Sequence, residues 1–183
     1  SDAGMPGISD PGERLVRAAV SAGHRVSVVA GPSAAIAAVV VSGLPTGRFV
    51  FEGFLPRKGS GRTARLARLA DEPRTIVLYE APHRVRATLA DLASSLGAQR
   101  RVVMVRELTK LHEEVWRGSL EQAVAHATEV TPRGEYVLVV DGAPDTAPAT
   151  EDVLRDALVA QIARGMSMKD AANAVALAHG ASR

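Results

Sequence analysis

Residues 79–84, "YEAPHR", put a carboxylate, an imidazole and a guanidinium into one short stretch. Glu80 and His83 are side-chain types that accept or release a proton in catalysis, and Arg84 is a type that holds an anion. The preceding residues 74–80, "RTIVLYE", read as a strand. Pro82 then opens a helix over 83–96, with Val85, Leu89, Leu92 and Leu96 on one face. Ligand sites in α/β sheets gather at the carboxyl ends of strands, where this stretch stands. A helix start carrying a surface histidine would have the same composition.

Two further stretches repeat the design. Residues 105–114, "VRELTKLHEE", carry Arg106, Glu107, Lys110 and His112 after a strand, and 133–140, "RGEYVLVV", place Glu135 and Tyr136 at the start of another. Alone, the 105–114 stretch reads equally as a solvated charged loop. The opening residues 1–14 pack Gly4, Pro6, Gly7 and Gly12 into a loop that lacks the dinucleotide pattern G-x-G-x-x-G. Gly7 and Gly12 have phosphate-loop spacing, but Glu13-Arg14 follow where Lys-Ser/Thr is required, which disfavours a nucleoside triphosphate site. The loop is either a strand-to-helix turn or a place where backbone approaches a flat, neutral ligand.

A fourth feature is cationic. Arg57, Lys58, Arg62, Arg65 and Arg68 all precede the first acid of their segment, Asp71. Such a run suits a nucleic-acid backbone, and a solvated helix face would look the same. The formal net charge of +2 permits an anionic partner without requiring one. The absence of cysteine excludes disulfides, thiolate catalysis and cysteine zinc sites. The histidines lack ligand spacing, so no metal is expected. G-x-S-x-G is absent, which disfavours a serine hydrolase. The most apolar run, residues 34–41, is far shorter than a membrane span. A cytoplasmic, non-membrane protein is expected.

The elements that must position these residues alternate. A helix is expected from Asp10 as N-cap and Pro11 at its first position to Gly23. A strand follows at 25–30, "RVSVVA", then a helix from Ser33 to Ser42 closed by Gly43. "GLPTG", 43–47, reads as a linker. Strands are expected at 48–55, 74–80, 100–107, 113–118 and 135–141, with helices at 62–71, 83–96 and 119–129. After a Pro/Ala/Thr linker at 142–150 come two short helices, 151–164 and 167–178, separated by Gly165, with Ser167 and Asp170 as a capping pair. This is an α/β fold with two domains, 1–47 and 48–141, the second a mixed sheet, and a small helical tail at 151–183. The first domain reads as incomplete, with a strand expected before Ser1 and both ends of the chain cut.

The motifs "SDAGMPGISDPG", "GPSAAIAA", "FEGFLPRKG", "YEAPHR" and "RELTK", in this order, resemble the tetrapyrrole methylase superfamily, most closely its ribosomal-RNA-modifying members. The resemblance runs from Ser1 to about residue 141. It implies S-adenosylmethionine as methyl donor, folded between two α/β domains. The acceptor it implies is a cytidine ribose 2'-hydroxyl in the decoding region of 16S rRNA, with the small ribosomal subunit and a second copy of the chain as partners. Cofactor contacts carry over to Gly4, Met5, Pro6 and Ile8, to Ser33 and Ala34, and to Tyr79, Arg106, Leu108, Glu135 and Tyr136. Met5 stands where relatives often have Asp. Handling of the hydroxyl proton falls to Glu80, His83 and Glu107. Arg84 and Lys110 become phosphate-positioning residues, and Arg57, Lys58 and Arg62 become rRNA contacts. The rival implications are a small-molecule methyltransferase of the same fold and a non-catalytic rRNA-binding fragment.

Overall fold

A computed structural model describes residues 5–144 and 151–179. The chain divides into two compact units, Ser1–Ala143 and Pro144–Arg183. Gly4 and the 145–150 stretch of the expected linker lie outside the described residues.

The first unit is organised by one five-stranded sheet. Its strands are β1 (Phe49–Phe54), β2 (Thr75–Glu80), β3 (Arg101–Arg106), β4 (Glu114–Ser119) and β5 (Tyr136–Val140), in the order β1-β2-β5-β3-β4. β1 and β2 are parallel, and the other pairings are antiparallel. The three central strands are apolar on both faces because both faces are covered. Ile76, Leu78, Val102, Met104, Leu138 and Val140 point into a core closed by helices α3 (Ser60–Ala70), α4 (Pro82–Leu96) and α5 (Leu120–Glu129). The alternate residues Val77, Val103, Val105, Val137 and Val139 meet the second core, under helix α2 (Ala34–Ser42). At roughly 25 cal/mol per Å² of apolar surface, these two layers supply most of the folding drive.

α2 is built for close approach. Ala35, Ala38 and Val39 lie flat against the sheet, and Leu44 continues the contact beyond Gly43, which ends the helix in the left-handed region. Arg117 of β4 donates to the carbonyls of Val41 and Ser42, placing a cation on the carboxyl end of the helix. The expected boundary at 43–47 is therefore no gap: α2 and the sheet share one core within one unit. α5 opens with a reciprocal capping box between Ser119 and Gln122.

Two expectations near the start of the chain are corrected. Helix α1 (Glu13–Ser21) is capped by Gly12, two residues later than the Asp10-Pro11 signal indicates, and buries none of its residues. Residues 25–30 form no strand. Val28 and Val29 are 72% and 93% exposed, because no strand among the described residues runs alongside to supply a hydrogen-bond ladder.

The second unit contains α6 (Glu151–Ala163) and α7 (Met168–His179), which pack on each other. Its turn has Gly165 at φ 90°, and the Asp170 amide donates to the Ser167 hydroxyl at 3.2 Å, as the capping signal predicts. No helix among the described residues is long and apolar enough to cross a membrane.

Candidate active site at one end of the sheet

The antiparallel register brings the three polar stretches together. Tyr136, the first residue of β5, pairs with Glu80 at the end of β2 on one side and with Arg106 at the end of β3 on the other. Arg106 in turn pairs with Glu114 of β4. One end of the sheet therefore carries the row Glu80, Tyr136, Arg106, Glu114, drawn from stretches up to 56 positions apart.

The loops at this end are braced by charge. Arg106 Nη1 lies 3.1 Å from Glu114, and its Nε donates to the Arg133 carbonyl at 2.8 Å. Glu107 and Glu135 extend the ladder, with the Glu107 amide donating to the Glu135 carbonyl and the Glu135 amide to Glu107 Oε1. Lys110 Nζ bridges Glu135 at 2.9 Å and Glu107 at 3.2 Å. The Glu135 amide and then Lys110 hold the Glu107 carboxyl below its usual range, and the two glutamates, Glu135 foremost, push Lys110 up. Burial pushes the Tyr136 phenol up. The backbone bends sharply here, with Glu107 at φ 47° and Thr109 at φ 65°, a conformation uncommon outside glycine.

At the β1–β2 side, the Tyr79 hydroxyl accepts from the Ala35 amide at 3.2 Å. That bond ties the end of β2 to the first turn of α2, directly beside Ser33 and Ala34. Ser33 is the N-cap but makes no side-chain capping bond. Phe51 and Phe54 meet the Tyr79 ring edge-on, with centroids 4.9 and 5.8 Å away. Gly53 lies in a bulge of β1 at φ 60°, and a Cβ there would stand 2.9 Å from Ser9 Oγ. The opening loop thus reaches the same end of the sheet. Met5 is half-buried in that loop, whereas Pro6 and Ile8 are exposed. Leu108 packs against the core beneath α2.

Several predicted residues are placed differently. Arg62, expected on the surface as an rRNA contact, is 8% exposed. Its Nε donates to Asp91 at 2.7 Å, Nη1 to the Pro56 carbonyl at 2.9 Å and Nη2 to Thr88 at 3.1 Å. Its place on the inner face of α3, beside Leu66 and Leu69, turns it away from any phosphate. Glu80 is 2% exposed and has both oxygens engaged, by the Thr88 hydroxyl at 2.6 Å and by the Ala81 amide at 3.0 Å, with Arg84 at 3.3 Å. Arg84 also donates to the Leu55 carbonyl at 2.8 Å. His83 stands exposed in the first turn of α4, and Arg57 and Lys58 are exposed before α3. Arg65, beside them, is paired with Glu52.

Sequence reasoning missed Thr88, Asp91, Ser9, Gly53 and the two phenylalanines. The bulge and the buried Thr88 hydroxyl leave no mark in a pattern of residue types. A signal for the rings was present, since Phe51 and Phe54 flank Gly53 in a chain only 3% aromatic.

The family profile of the Tetrapyrrole (Corrin/Porphyrin) Methylases matches residues 1–124. The chain belongs to the tetrapyrrole methylases. Proteins named ribosomal RNA small subunit methyltransferase I are similar to it at 51% identity over 178 residues in Synechocystis sp. and 49% over 183 residues in Mycobacterium tuberculosis. These alignments cover 96% and 98% of this tetrapyrrole methylase, and 64% and 62% of the two relatives, so it spans a little under two thirds of their length. Among solved structures the methyltransferase CobJ superposes with TM-score 0.59 at 20% identity, over 76% of this chain and 62% of its own. Uroporphyrin-III C-methyl transferase from Thermus thermophilus complexed with S-adenyl homocysteine gives 0.53 at 23%, over 75% and 62%. The fold expected of a tetrapyrrole methylase is therefore the fold observed.

Proposed function

We propose that this tetrapyrrole methylase takes part in S-adenosylmethionine-dependent methylation of 16S rRNA, at the 2'-hydroxyl of a cytidine ribose in the decoding region. The observation that carries the reading is the convergence, at one end of the sheet, of the opening loop, the first turn of α2 and the Tyr79–Glu80 strand end. The names of the relatives at about half identity point the same way.

The residues present fit that cofactor. The site offers backbone turns, hydroxyls and aromatic edges, while Arg106 and Lys110 are already neutralised by Glu114, Glu107 and Glu135. Such a lining suits a purine nucleoside carrying a cation better than a polyphosphate. Met5, Pro6, Ile8, Ser33, Ala34, Tyr79 and Tyr136 would hold it, with Arg106, Leu108 and Glu135 shaping the opposite wall. The cofactor supplies an electrophilic methyl group on sulfonium.

The chain's own task is to align the ribose hydroxyl and receive its proton. Glu80 is committed to a buried network, and the low basicity of Glu107 makes it a weak acceptor. His83, exposed in the first turn of α4, is left to take the proton, with Glu80 and Glu107 organising the loops around it. Arg57 and Lys58 supply phosphate contacts, and a homodimer in the cytoplasm is the working form. The basic pair favours RNA over a small acceptor, which needs no such surface.

Calorimetric titration with S-adenosylmethionine, paired with transfer of labelled methyl to small subunits, tests the reading. Saturable micromolar binding and label in a single 2'-O-methylcytidine are expected. Absence of cofactor heat alongside intact rRNA binding would leave a non-catalytic RNA binder.

A further inference from the structure

We propose that Thr88 is a positioning residue that holds the Leu55–Lys58 loop in place for the RNA. The buried network around Glu80 has one hydroxyl at its centre. Thr88 Oγ1 donates to Glu80 Oε2 at 2.6 Å and accepts from Arg62 Nη2 at 3.1 Å. On either side of that relay an arginine reaches the same loop. Arg62 Nη1 donates to the Pro56 carbonyl at 2.9 Å, and Arg84 Nη2 to the Leu55 carbonyl at 2.8 Å. Two guanidinium groups thus grip two successive carbonyls immediately before Arg57 and Lys58.

The counterions of the grip are shared. Glu80 faces Arg84 directly and Arg62 through Thr88, while Asp91 closes the outer side of Arg62 at 2.7 Å. The hydroxyl is required because it alone in the network both donates and accepts; valine of the same shape can do neither. At 1% exposure, Thr88 offers no atom to a ligand. It therefore acts through the loop, while its own bond to Glu80 ties it to the end of β2 where Tyr79 also stands. A helix position that would ordinarily carry an apolar residue, one turn from the buried Val85 and beside Leu89, is polar for this reason.

The role in RNA binding rests on the reading of Arg57 and Lys58 as phosphate contacts, so the test separates the two. Trypsin cleavage after Arg57 and Lys58 reports the grip without RNA. T88V is expected to speed that cleavage about 10-fold relative to cleavage after Arg133, and T88S to restore the original rate. D91N, a milder change at the half-exposed end, is expected to give an intermediate rate, and it carries the test should T88V fold poorly. Affinity for 16S rRNA is then measured for T88V, for R57A/K58A and for the combination. T88V is expected to weaken binding in the parent but to add nothing once both charges are gone, with cofactor affinity held within 2-fold throughout. Unchanged cleavage in both T88V and D91N overturns the grip. Additive losses in affinity overturn its service to RNA. Faster cleavage with no effect of R57A/K58A on affinity overturns the phosphate reading instead, and with it the RNA role of the loop.

Discussion

The hydroxyl of Tyr79 accepts a hydrogen bond from the amide of Ala35 at 3.2 Å, across 44 positions of sequence. The end of β2 and the first turn of α2 are thereby fixed to each other, and both belong to the proposed cofactor lining. Tyr79→Phe keeps the ring between Phe51 and Phe54 and leaves the amide without this acceptor. A hydrogen bond of this kind contributes about 0.5 to 1.5 kcal/mol. Tm is expected to fall by a few degrees, and the Kd for S-adenosylmethionine to rise about 5-fold by calorimetry. An unchanged Kd would separate this contact from cofactor binding.

Why the strand ends were legible and the grip was not has a physical reason. Strands of alternating or continuous Val, Ile and Leu at 74–80, 100–107 and 135–141 declare themselves, and polar residues at their ends must share an edge once the strands pair. Arg62 misled because a cation among other cations reads as surface. Only the fold shows that it lies on the side of α3 that buries Leu66 and Leu69, with Asp91 and Thr88 of α4 waiting for it. The run at 25–30 misled in the opposite sense. Its residues have strand propensity, but pairing is a property of neighbours, and no neighbouring strand stands beside it among the described residues.

Gly134 stands at φ 74°, and a Cβ there would fall 2.6 Å from Glu107 Oε1. Gly134→Ala is therefore expected to displace the Glu107 carboxylate from the Glu135 amide and from Lys110, besides costing about 1 kcal/mol for a left-handed alanine. Tm should fall by a few degrees and methyl transfer should slow about 10-fold. Full activity at the lower Tm would show that the Glu107–Lys110–Glu135 brace is structural alone.

Glu72 is chelated by the backbone and side chain of Arg74, with Nε at 2.6 Å and Nη2 at 2.8 Å. The Arg74 hydrogen bonds lower its pKa from 4.5 to about 2. A carboxyl with a depressed folded pKa stabilises the fold fully above its unfolded value and loses that contribution as pH falls through the folded one. The contribution is thus present above pH 4.5 and gone by about pH 2. Glu72→Gln should flatten the acid limb of unfolding free energy against pH in that window and leave the limb above pH 5 parallel to the parent. An unaltered acid limb would assign the acid sensitivity to other carboxylates.

Arg57, Lys58 and Arg65 lie close together in sequence, yet they should differ in their effect on RNA binding. Arg65 is already neutralised by Glu52, whereas Arg57 and Lys58 are exposed. Each phosphate contact contributes about 0.7 to 0.9 to the slope of log affinity against log salt. Removing Arg57 and Lys58 together should lower the magnitude of that slope by about 1.4 to 1.8, measured by filter binding to 16S rRNA across salt concentrations. Arg65→Ala should leave the slope in place, because the counterions displaced on binding are set by the charges that meet phosphate, and a charge already spent on Glu52 displaces none. Equal slopes for the two variants would move the RNA surface away from this loop altogether.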